Sequence, residues 1–121
     1  MNQRLGYISV LVPDYDAGIA FYTGKMGFNL LEDTDLGSGK RWVLVQPSGN
    51  AGTALVLAQA VTEKEKAMIG QQGAGRVWLF LHTDDFYRDY HRYREQGITF
   101  LEESREESYA TVAVFQDKFG N

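Results

Sequence analysis

Tyr7-Ile-Ser-Val-Leu-Val-Pro-Asp14 decides the fold, because its pattern returns as Trp78-Leu-Phe-Leu-His-Thr-Asp-Asp85. Both are apolar runs that close on an aspartate. The same shift carries Tyr15, Ile19 and Tyr22 onto Phe86, Tyr90 and Tyr93, and Gly49-Asn50 onto Gly120-Asn121. The register slips by one residue only towards the end of each helix, where Gly27 answers Gly97. Few letters are identical. Pattern and spacing agree, and that marks an internal repeat.

Each repeat reads as strand, helix, then further strands. Residues 5–12 alternate Ile8, Val10 and Val12 against Tyr7, Ser9 and Leu11, the period of a strand. Asp14, just after Pro13, is placed to cap a helix by accepting from an unpaired backbone N–H. Tyr15, Ile19, Tyr22 and Met26 recur at helical spacing until Gly27 stops them. Residues 28–33 and 40–46 read as strands about Gly37-Ser38-Gly39, and 53–59 as a fourth after Pro47-Ser48-Gly49-Asn50. Thr62 with Glu65 opens a short polar helix.

Gln71-Gln-Gly-Ala-Gly75 reads as a link. The second repeat then predicts a strand over 76–82, a helix over 84–96, and strands over 98–102 and 109–116, with acidic 102–107 as a solvated turn. The expected organisation is one α+β domain over 1–121: module one 1–60, linker 61–75, module two 76–121. A strand follows Gly49-Asn50 but none follows Gly120-Asn121, so an eighth strand is expected in a tail beyond the given chain.

Composition narrows the function. A length of 121 residues suits one domain, and zero cysteines remove disulfides, thiolate catalysis and Cys-ligated metals. Two histidines, His82 and His91, cannot build a His-rich metal site. A net charge of −4 without a basic block points away from nucleic acid and anionic membranes. No apolar run approaches the ~20 residues that span a bilayer, and no signal-peptide profile is visible. A small cytoplasmic domain that handles a small molecule or binds another protein is expected.

The two βαβββ repeats, Phe21-Tyr22 in the first helix, Met26-Gly27-Phe28 at its end, and the closing Asp117-Lys-Phe-Gly120-Asn121 together resemble the vicinal oxygen chelate superfamily. That superfamily contains glyoxalase I, the bleomycin- and fosfomycin-resistance proteins and the extradiol dioxygenases. The resemblance spans essentially the whole chain; Lys118 departs from it, standing where proline is usual. It implies two tandem modules whose curled mixed sheets enclose a cleft, commonly in a homodimer. In metal-dependent members, it further implies ligands at the places held here by Tyr7, Trp78 and Val56, with a last carboxylate from the eighth strand.

Phenol, indole and isopropyl groups are poor or impossible ligands for a divalent cation. The expectation is therefore a cleft without the usual metal and without any other cofactor. Its aromatic walls would hold a small hydrophobic or partly aromatic molecule. In this reading Tyr7, Ser9, Val56, Trp78, Phe80 and His82 face the cleft. His82 is the candidate general base or hydrogen-bonding group, whereas His91 belongs to the surface. Alternation aims either Arg41 or Trp42 inward; an inward Arg41 would grip a carboxylate or phosphate. Gln59, Gln116 and Tyr109 are weaker candidates. The competing reading is a metal-dependent lyase or extradiol-type dioxygenase with displaced ligands, His82 among them.

Overall fold

The first strand forms where the alternation places it: β1 spans Tyr7–Val12 in the computed structural model, which describes residues 1–49 and 52–121. Asp14 caps the next element, its Oδ1 accepting from the Ala17 N–H at 2.7 Å. Helix α1, Tyr15–Ile19, runs directly into a π-helical turn, Ala20–Lys25. The sequence reading expected a single regular helix to Gly27. The wider turn instead places the neighbouring Phe21 and Tyr22 both inside, with rings edge to face at 5.1 Å. Gly27, at φ 74°, ends the helix.

Three more strands follow: β2 Asn29–Gly37, β3 Lys40–Gln46 and β4 Ala54–Gln59. They form one sheet in the order β1-β4-β3-β2, with β1 parallel to β4 and the other pairs antiparallel. β2 runs on to Gly37, past the expected end at Asp33, because β3 offers it partners as far as Lys40. Asn50, part of the repeated Gly-Asn element, lies outside the described residues.

One face of this sheet is the core of the first unit. Val10, Val12, Val43, Val45 and Leu57 are almost completely buried on it, and Tyr15, Tyr22 and Met26 are buried as well. Gly18 sets the distance between helix and sheet. A Cβ there would lie 3.0 Å from Leu57 Cδ1 and 3.1 Å from Val12 Cγ1. Helix α2, Glu63–Met68, then closes the unit with the capping box read from Thr62 and Glu65. The Thr62 and Val61 N–H groups donate to the Glu65 carboxylate and hold it below the ordinary glutamate range.

Contacts divide the chain into Met1–Ile69 and Gly70–Asn121. The second unit repeats the capped helix: α3 spans Phe86–Glu95, Asp85 Oδ1 accepts from the Arg88 N–H at 3.2 Å, and Gly97 ends it at φ 81°. Its interior is aromatic. Tyr90 packs on Phe100 at 4.9 Å, Tyr93 on Phe115 at 5.6 Å, and Phe100 on Phe115 at 5.4 Å. Tyr90 Oη accepts from the Ser104 N–H and from Arg94, which together hold its phenol below the usual tyrosine range.

The strands expected in this unit are largely replaced. Residues 76–82 form no strand among the described residues. The pair expected over 98–102 and 109–116 is reduced to the bridge Phe100↔Phe115. A short ladder joins β5, Arg105–Glu106, to β6, Thr111–Val112, inside and beyond the stretch expected as a plain turn. Backbone bonds from the Leu101 N–H to the Val114 carbonyl and from the Gln116 N–H to the Thr99 carbonyl flank that bridge, and its two rings also pack on Tyr90 and Tyr93 of α3.

Candidate functional site

The face of the four-stranded sheet away from α1 carries the candidate site. Register fixes its membership, since cross-strand partners share a face. Ser9 pairs with Val56, Val56 with Leu44, and Leu44 with Glu32, so these four form one row across all the strands. Trp42 and Thr34 form the next pair along β3 and β2, and Tyr7 lies beside Ala54. Tyr7, Ser9, Glu32 and Thr34 are exposed, whereas Trp42 and Val56 are half-buried.

Two aromatic rings meet over this surface. Tyr7 and Trp42 approach edge to face, with centroids 5.8 Å apart and planes at 75°. They start from strands separated by β4, so each side chain leans towards the other across it. Tyr7 remains 55% exposed, which leaves the ring available as a wall. The result is a surface on which Val56 is half-buried and Leu44 is already covered, with Ser9, Glu32 and Thr34 supplying polar groups.

Between Arg41 and Trp42, the register of β3 decides which faces the open side. Alternation puts Arg41 on the helix side with Val43 and Val45, and Trp42 takes the open face. The Arg41 guanidinium forks onto Asp33 at 2.7 and 3.1 Å, reaches Asp16 at 2.9 Å, and lies over the Tyr15 ring at 5.2 Å. A concavity of about 350 Å³ beside it is lined by Asp33, Asp35, Gly37, Ser38, Gly39 and Arg41. Because those two carboxylates already hold the cation, Arg41 is not poised to grip an anionic ligand.

The Arg41 hydrogen bonds also hold the Asp33 carboxyl below the ordinary aspartate range. A depressed folded-state value adds stability above the unfolded value, about 3.9, and loses it as pH falls through the folded one. Asp33→Asn should therefore flatten the fall of stability below about pH 4, read as urea midpoints at a series of pH values. An unchanged acid slope would show that the fork contributes nothing.

The second unit places its candidates differently. With no strand over 76–82, no ladder sets Trp78, Phe80 and His82 on a common face. Trp78 is half-buried against the Gly73 turn, where a Cβ would come within 2.9 Å of the Trp78 Cβ. Phe80 is 77% exposed, and His82 is exposed. Tyr109 is exposed, while Gln59 and Gln116 are half-buried. His91 lies on the surface of α3 beside the Tyr87 ring, as expected of a surface residue. Sequence reading missed Glu32, Thr34 and Leu44, because only pairing through β3 shows that they share the row of Val56 and Ser9.

Residues 4–121 match the family model of the Glyoxalase/Bleomycin resistance protein/Dioxygenase superfamily. The chain belongs to this superfamily. A Shewanella frigidimarina relative, described as uncharacterized, is 48% identical over all of this chain and 90% of its own length. Among solved structures, UcmS2 superposes with a TM-score of 0.86 at 31% identity, over all of this chain and 95% of UcmS2. TnmS3, an antibiotic binding protein from Streptomyces sp. CB03234, does so with a TM-score of 0.76 at 30% identity, over all of this chain and 91% of TnmS3. The superfamily's curled sheet is thus the frame on which the Tyr7–Trp42 surface is built.

The superfamily also raises the question of a divalent cation. At the places its metal-dependent members use, this chain offers the Tyr7 phenol, the Val56 isopropyl group and the Trp78 indole. Of these only a phenolate can ligate, and Tyr7 turns its ring to Trp42. Among the described residues no group of three His, Cys, Asp or Glu side chains converges. The donors at these places do not suit such a cation.

Proposed function

We propose that this protein binds a small, partly aromatic molecule on the open sheet face of its first unit and holds it without the metal of its catalytic relatives. The observation that carries this reading is the Tyr7–Trp42 pair standing over Val56. An apolar floor with aromatic walls and a few polar groups at its edge is the common build of a small-molecule site. The likeness to TnmS3, an antibiotic binding protein, points the same way. A homodimer in the cytoplasm belongs to this reading and rests on the family likeness; among the described residues no helix is long and apolar enough to cross a membrane.

Acridone, a neutral planar tricycle, is the probe. Equilibrium dialysis should show saturable binding to the wild type and a loss of about tenfold or more in Trp42→Ala, since a stacked aromatic contributes about 0.5–1.5 kcal/mol beyond its buried area, and that area is lost as well. Tyr7→Ala should lose less, because more of its ring already faces water. Both variants should keep the wild-type circular dichroism. Undiminished binding in both would move the site elsewhere. Stoichiometric metal in the purified protein, lost on His82→Ala, would favour the metal-dependent lyase or dioxygenase instead.

A further inference from the structure

One of the polar groups on the binding face, Glu32, carries a charge whose effect on ligand choice goes beyond the proposed function. Glu32 lies directly across from Leu44, and Thr34 directly across from Trp42. Side chains so paired have Cβ atoms about 5 Å apart, so the carboxylate borders the apolar floor and stands one diagonal from the indole. Thr34 Oγ1 donates to Glu32 Oε2 at 2.9 Å, which orients the group. Among the described residues no cation pairs with Glu32. Every arginine fork in those pairs is directed at another carboxylate.

Lys40 is the other charged residue on this alternation of β3. It stands at the strand's beginning, where its charge acts on Glu65 and helps to hold that carboxyl low. The middle of the face is therefore left with one negative charge beside an electron-rich indole. Both features attract the same kind of group: a carboxylate pairs with a cation, and a tryptophan face attracts one through its quadrupole. A ligand seated on Val56 and Trp42 would also displace water from the Glu32 side, which strengthens that pairing.

We infer that Glu32 is a specificity-determining residue, and that the preferred ligand joins a planar aromatic group to a cationic nitrogen. Anionic aromatics are rejected by the same carboxylate. This rests on the proposed binding face, and the test is arranged so that the two can fail separately. Three tricyclic probes of nearly equal shape are compared by equilibrium dialysis: 9-aminoacridine as cation, acridone as neutral form, and acridine-9-carboxylate as anion.

The wild type should bind the cation about tenfold tighter than acridone, and the anion most weakly. Glu32→Gln keeps the shape and the Thr34 acceptor but removes the charge. It should bring cation and neutral probe within about twofold of each other, the ratio of the two affinities being the readout. The wild-type preference should also shrink in high salt. If acridone binds through Trp42 but no cation preference exists, or the preference survives Glu32→Gln, the charge inference is overturned and the binding face stands. If none of the three probes binds, both fall.

Discussion

Leu57→Ala should lower the unfolding free energy by about 2–5 kcal/mol, a large share of the 5–15 kcal/mol typical of a domain. Leu57 is 1% exposed and sits on the helix side of β4, where its Cδ1 meets the backbone of α1 at Gly18. Removing it leaves a cavity between helix and sheet that stiff Val10 and Val12 cannot fill by rotating. The neighbouring Val56 points to the other face and is half-buried, so Val56→Ala should cost only about 1 kcal/mol. Urea midpoints of the two variants would read the contrast. Equal losses would mean that the sheet is covered on both sides, and the open face would then not exist.

Gly70→Ala should destabilise the second unit by about 2–4 kcal/mol. Two causes add. Gly70 has φ 73°, a conformation that costs an L-residue about 1–2 kcal/mol, and a Cβ there would run into the Phe119 carbonyl oxygen. That obstacle is backbone, so no rotamer change relieves it. Phe119 is held in turn, because the buried Asp117 Oδ1 accepts from the Phe119 and Asn121 N–H groups, each at 2.9 Å.

Gly75→Ala separates the causes. Gly75 has φ 84° but open space where a Cβ would go, so it bears only the conformational cost. Hydrogen exchange at Phe119 and Asn121 should rise sharply in Gly70→Ala and little in Gly75→Ala. Matching effects would show that the close approach of the Gly70 turn to the Asp117–Asn121 loop has no energetic weight.

Much of the first unit was legible because its signals are local. Asp14 and Thr62 cap by reaching N–H groups three residues ahead, Gly27 ends a helix through its own φ, and Leu57 and Val10 declare a buried face by period. The repeat extended the same logic to Asp85 and Gly97. The superfamily likeness rested on this local pattern, and the match over residues 4–121 agrees with it.

What was not legible depends on partners far along the chain. Nothing local says that Phe21 and Tyr22 share one wide helical turn, or that the pairing of residues 98–102 with 109–116 shrinks to one bridge whose rings pack on α3. The choice between Arg41 and Trp42 waited on the register of β3 with β4, and Glu32 joined Ser9 only through two further pairings. The sequence alone determined the caps, the strand periods, the buried side of the first sheet and the absence of thiol chemistry, each set within a few residues. Tertiary structure alone decided which side chains share the open face. A strand's faces alternate by its own geometry, but only hydrogen bonding to neighbours fixes which of them stand side by side.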